Sequence, residues 1–133
     1  MKESQFWALV KGKLLGDVER MENALTRGTP DVNGCFEGHE YWLELKVLDD
    51  KGRCELRPEQ YLWHRKRQEH GGRVFVLARN DNLLKLYQVQ RNMEMHELWA
   101  CSKPFQWDNM NSLIFSVPPF CTEMKVIHCG EMQ

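Results

Sequence analysis

Gly28-Thr29-Pro30-Asp31-Val32-Asn33-Gly34-Cys35-Phe36-Glu37-Gly38-His39-Glu40-Tyr41-Trp42-Leu43-Glu44-Leu45-Lys46 reads as two short strands. An acid opens the first, and an acid and a base lie within the second. Pro30 fixes its own φ and lacks an N–H, which suits the entry to a strand. Asp31 then projects a carboxylate from the end of a sheet. Asn33-Gly34 and Gly38-His39 supply turn chemistry. From Tyr41 to Val47 the chain alternates with the period of a strand, placing Leu43, Leu45 and Val47 on one face and Trp42, Glu44 and Lys46 on the other. Once the two strands pair, Asp31 can converge with Glu44 and Lys46.

Two carboxylates a few ångströms apart repel each other, and a hard divalent cation between them removes that cost. A lysine beside the cation can steady an attacking water or help deprotonate it. Together these are the parts of a metal-dependent phosphodiesterase. Each part alone is common, since Pro-Asp opens many turns and Glu-x-Lys lines many strand faces.

A chain of 133 residues, 42% hydrophobic and 28% charged, is one domain with a single core. It has no apolar run near the length of a membrane span and no signal-peptide pattern, so the expected compartment is the cytoplasm, that of the host if the protein is viral. The cysteines at 35, 54, 101, 121 and 129 are odd in number and widely spaced, which argues against a disulfide framework. The formal charge of −1 hides an uneven distribution. Between residues 51 and 79 eight bases face three acids, whereas from residue 92 onward five acids face two bases. A basic middle beside acids suits an enzyme that grips phosphates near a metal, although a solvated charged face gives the same counts.

Residues 4 to 25 read as helical, with Ser4 as N-cap, apolar residues at Phe6, Trp7, Val10, Leu14 and Leu15, and Gly12 and Gly16 bending or splitting the helix. Arg20, Glu22 and Asn23 fall on its second part, which Gly28 ends. After a polar turn at residues 49 to 52, Pro58 and Glu59 open a helix running to about His70, with Gln60 and His64 on one face. Residues 73 to 79 read as a buried strand and 83 to 89 as its antiparallel partner. Residues 92 to 101 suggest another helix. The remainder, with Pro104, Pro118 and Pro119, has no clear pattern.

The ordered set Arg20-x-Glu22-Asn23, Gly28-x-Pro30-Asp31, Glu44-Leu45-Lys46, Gly52-Arg53 and Arg57-Pro58-x-Gln60-x-x-Trp63 resembles the PD-(D/E)xK nuclease superfamily. Within it, the set is most similar to the small VRR-NUC domains of phages and repair enzymes. Gly71-Gly72 and Val74-Phe75-Val76 fit as well. The likeness spans about residues 18 to 88. Arg57 departs from it, standing where family members often carry a small hydroxyl residue.

The resemblance implies an α/β fold with a restriction-endonuclease-like core, a mixed central β-sheet flanked by helices, and a C-terminal extension of uncertain fold. It implies that Asp31 and Glu44, with the Leu45 carbonyl, bind Mg²⁺ or Mn²⁺, and that Glu22 holds a second metal or its water. Lys46 would orient or activate the nucleophilic water, and Gln60 would support it. Arg20, Lys51, Arg53, Arg57, Arg65, Lys66 and Arg67 would bind DNA phosphates, which position a substrate without reading its sequence.

The implied activity is an endonuclease selective for branched DNA, such as a four-way junction or flap, in phage-type replication, recombination or repair. A homodimer would present two sites to two strands, with Phe105, Trp107, Ile114, Phe115 and Phe120 as its contact surface or, equally, as part of the monomer core. The alternative is a catalytically idle member that binds nucleic acid or a protein partner. His96, Cys101, Cys121, His128 and Cys129 are zinc-preferred types, but their spacing matches no zinc module.

Overall fold

A computed structural model of the chain describes residues 2–22 and 26–120, together with the backbone of Ile127–His128. The elements in chain order are α1 (Glu3–Val10), β1 (Asp17–Arg20), β2 (Val32–Phe36), β3 (His39–Val47), α2 (Pro58–Glu69), β4 (Val74–Arg79), β5 (Leu83–Val89), β6 (Met95–Ser102), α3 (Trp107–Ser116) and β7 (Ile127–His128). The seven strands lie in sequence order in one mixed sheet. The β3–β4 and β6–β7 pairs are parallel and the other four are antiparallel. Parallel neighbours need a long crossover, and the two crossovers contain α2 and α3.

The alternation along β3 decides which face meets which helix. Leu43 and Leu45 join Phe6 and Val10 of α1 and Met110, Leu113 and Ile114 of α3 in the larger core. On the other face Val76, Ala78, Tyr87 and Val89 form a smaller core with Leu48 and Leu56, against which Tyr61 of α2 packs. Trp42 faces α2 as well, its ring 5.1 Å from that of Trp63. The helix carries little apolar surface toward the sheet: its buried residues are Gln60, His64 and Gln68, one turn apart.

Five expectations from the sequence are corrected. The first helix stops at Val10, and the segment bearing Arg20 is an edge strand paired with β2 (Asp17 opposite Cys35, Arg20 opposite Val32). Glycines at 12 and 16 end the helix rather than bend it, and Gly16 has φ +89 with no room for a Cβ against the Cys35 carbonyl. The cap is Lys2, whose amide donates to Gln5 Oε1 at 2.9 Å, and not Ser4. Asn33-Gly34 lies inside β2, where Gly34 sits opposite Tyr41 and the phenol ring fills the space of a side chain. The turn is made by Glu37 and Gly38, both at positive φ, as a two-residue hairpin requires. Residues 95–102 form a strand because β6 pairs along its length with β5 and fills the core with Leu98 and Trp99.

Residues 95–117 are therefore no appendage, since β6 and α3 complete the larger core. Ile114 is fully buried, and Phe105, Trp107 and Phe115 pack against that core. Phe120 lies 4.1 Å from the Arg91 guanidinium carbon. Among the described residues no helix is long and apolar enough to cross a membrane.

Candidate active site

Glu44 is the centre of the arrangement. It lies on the α2 face of β3 and is 4% exposed. Its Oε2 accepts a hydrogen bond from Gln60 Nε2 at 2.9 Å, while Oε1 is buried with no partner. Gln60 is held in turn, its Oε1 accepting from the Arg57 amide at 2.8 Å. That bond satisfies an amide at the start of α2 and so fixes the carboxamide that steadies Glu44.

Asp31 arrives from the mouth of β2. Its Oδ2 accepts from the Leu45 amide at 2.9 Å, and its carboxyl is within hydrogen-bonding reach of Glu44. The approach depends on Gly28, which has φ +85 and packs so closely on α2 that a Cβ would collide with the Glu59 carbonyl. Burial, then the charge of Asp31 and its hydrogen bond, push the Glu44 carboxyl up to about 9, with Lys46 opposing. Removed from water beside another acid, Glu44 holds its proton at neutral pH unless a cation replaces it.

Lys46 lies two residues on, half-buried, and its charge reaches Glu44, His64 and Cys54. His64, one turn beyond Gln60, is fully buried with both ring nitrogens unpartnered. Burial, with a smaller contribution from Lys46, lowers it to about 3, so the imidazole is neutral. Burial likewise raises the Cys54 thiol to about 11.

Asp31, Glu44, Lys46 and Gln60 are thus brought together. Glu22 is not joined to them in a cluster: it is exposed, one residue past Met21, whose amide donates to the Asp31 carbonyl. Among the described residues no group of three or more His, Cys, Asp or Glu stands ready to hold a metal. Two carboxylates, one with a buried unpartnered oxygen, nevertheless suit Mg²⁺, which commonly takes one or two protein carboxylates and completes its shell with water and phosphate oxygens. The Leu45 amide fixes Asp31 for that role. The acid that the sequence reading missed is Glu3, in the first turn of α1, whose charge also raises Glu44. Its signal was an acid on the polar side of a helix that precedes the strand pair, hidden by placing the cap at Ser4.

The predicted phosphate contacts divide. Arg57 pairs with Glu59 at 2.9 Å, Arg65 pairs with Glu69 at 3.2 Å, and Arg67 stacks 4.6 Å from Trp63 and 5.2 Å from Trp42. Arg20, Lys51, Arg53 and Lys66 are exposed and make no ion pair among the described residues. Lys51 and Arg53 are presented by a turn whose amides both donate to Asp49 Oδ1 at 2.9 Å, just beyond the end of β3. Of two further bases of the central segment, Arg73 donates to the Ile114 and Val117 carbonyls, and Arg79 lies on the face of the sheet opposite Glu44, against Phe105.

As for zinc, His96 and Cys101 lie five residues apart on one strand, about 16 Å. The side chains of Cys121, His128 and Cys129 lie outside the described residues. No family model and no curated protein matches the sequence.

Proposed function

We propose that the protein is a Mg²⁺- or Mn²⁺-dependent DNA endonuclease of the PD-(D/E)xK type, nearest in motif order to VRR-NUC domains. The observation that carries this reading is the buried Glu44 carboxyl set against the Asp31 carboxyl, with Lys46 on the same strand face. A buried acid pair is costly, and a cation is the simplest group that would repay it. Asp31 and Glu44 would hold the cation, with Glu3 near enough to add negative charge. Bound there, it would supply Lewis-acid stabilisation of the charge that develops on the phosphate. Gln60 keeps Glu44 in place, the Leu45 amide keeps Asp31 in place, and Lys46 orients a water toward the phosphorus. Neutral His64, close enough to feel the charge of Lys46, adds no competing charge. Arg20, Lys51, Arg53 and Lys66 would meet backbone phosphates.

The test is cleavage of a four-way junction and of linear duplex with and without Mg²⁺. Asp31→Ala and Glu44→Ala should each lower the rate by about 10²–10³-fold or more, and Lys46→Ala by about 10²-fold with cation binding retained. Glu44→Ala cutting as fast as the parent would end the nuclease reading and favour an idle binding protein. Selection of branched DNA calls for two copies, one for each cut strand. A strict monomer by light scattering that cuts both substrates equally would leave a nonspecific nuclease.

A further inference from the structure

On the face of the sheet opposite Glu44, a cavity of about 540 Å³, a wide and open depression, lies among Leu9, Lys13, Arg79, Lys103, Phe105 and Trp107. Arg79 ends β4 and pairs in register with Val47, the residue after Lys46. Alternation sends the Arg79 side chain to the α1/α3 face while Lys46 stays on the α2 face. The cavity and Lys46 therefore share the same end of β3 and β4.

Arg79 is 7% exposed, an unusual position for a guanidinium with no carboxylate partner. Its Nε donates to the Asn80 carbonyl at 3.1 Å, and its carbon lies 4.9 Å from the Phe105 ring centre. Among the described residues its two terminal nitrogens make no hydrogen bond, and they are not sealed from solvent. Asp81 acts on it only as a nearby charge. Lys13 and Lys103 stand exposed at the rim, and no acid lines the cavity. An adjoining groove shares Lys13, Phe105 and Trp107 and reaches Asp108 at its far side.

We propose that this cavity is a second nucleic-acid subsite that takes a strand-terminal phosphate monoester, with the phosphate on Arg79 between Lys13 and Lys103 and its nucleoside against Trp107. Three cations without a lining acid match a dianionic monoester better than the single charge of an internal diester. A planar guanidinium offers two parallel donors to phosphate oxygens, and Phe105 holds that plane. The indole gives a base a stacking surface of no sequence preference. The proposal rests on the nucleic-acid reading for the source of its ligand and not on the metal site.

The experiment is fluorescence anisotropy in EDTA, where no cleavage occurs. The probes are eight-residue thymidine oligonucleotides bearing a 5′-phosphate, a 3′-phosphate or neither, each labelled away from the phosphate. The parent should bind one phosphorylated probe about tenfold more tightly than the unphosphorylated one. Lys13→Ala/Lys103→Ala, both at exposed positions, should erase that preference with an unchanged circular dichroism spectrum. Arg79→Lys should weaken it while keeping the charge. Thymidine monophosphate or inorganic phosphate competing as well as the oligonucleotide would overturn the strand-end assignment. Equal binding of all three probes, or a preference that survives the double substitution, would overturn the subsite. Loss of Mg²⁺-dependent cutting is a separate failure that this assay does not read.

Discussion

Glu44 and His64 stand one turn of α2 apart in effect, the first joined to Gln60 and the second one turn beyond it, and burial perturbs them in ways that oppose each other in pH. A carboxyl raised to about 9 keeps its proton in the fold, so between its ordinary value and 9 the native state holds more protons than the unfolded chain. Stability from Glu44 is full at low pH and is lost as pH rises through that window. An imidazole lowered to about 3 does the reverse: its contribution is full above its ordinary value and is lost as pH falls toward 3. The two slopes nearly cancel between the ordinary values of the two groups. Above the ordinary histidine value Glu44 acts alone, and stability in EDTA should fall by about 1.4 kcal/mol per pH unit. Urea denaturation at pH 7 and 8 measures this, and Glu44→Gln should flatten the difference. A parent protein equally stable at both pH values, with this variant no different, would contradict the buried-proton account. With Mg²⁺ present the fall should shrink, because the cation displaces the proton.

Element by element, α3 depends on a base counted in the basic central segment. Arg73 donates to the carbonyls of Ile114 and Val117 at 3.2 and 2.8 Å, satisfying groups that the end of α3 leaves open. Arg73→Leu should cost about 1–3 kcal/mol, the range for hydrogen bonds from a charged donor, read as a lower denaturation midpoint with DNA affinity unchanged. A variant of full stability that binds DNA more weakly would instead make Arg73 a phosphate contact. The same contrast shows what the sequence could convey. The β2–β3 hairpin, α2, β4 and β5 were legible because their patterns are local: alternation in Leu43–Val47, Pro58 at a helix start, a continuous apolar run in β4. Asp31, Glu44, Lys46 and Gln60 were legible through motif order. Residues 17–20 and 95–102 were not, because each becomes a strand by pairing with a neighbour rather than by its own period. Glu3 was missed for a related reason, since only the packing of α1 against β3 brings its charge to Glu44.

For the whole molecule, a net charge of −1 means that the proposed attraction to DNA would come from placement and not from total charge. Of the seven predicted phosphate contacts, Arg57 and Arg65 are engaged by glutamates and Arg67 by two indoles. Arg20, Lys51, Arg53 and Lys66 make no ion pair among the described residues, with Asp49 a nearby charge to Lys51 and Arg53. Lys51 and Arg53 follow β3, Lys66 rides on the outward face of α2, and Arg20 ends β1. Each cation that neutralises one duplex phosphate contributes a log–log salt slope of about −0.9, which gives about −3.6 for the four. Titrating a catalytically inactive Glu44→Gln variant with linear duplex, in EDTA from low to moderate salt, measures it. Arg53→Ala/Lys66→Ala should halve the slope to about −1.8 and weaken binding alike for every sequence, as phosphate contacts do. Glutamate-paired Arg65 serves as the control, because Arg65→Ala should leave the slope nearly unchanged. A slope that ignores the double substitution would move the duplex away from this face, and with it the claim that the acid pair meets a scissile phosphate.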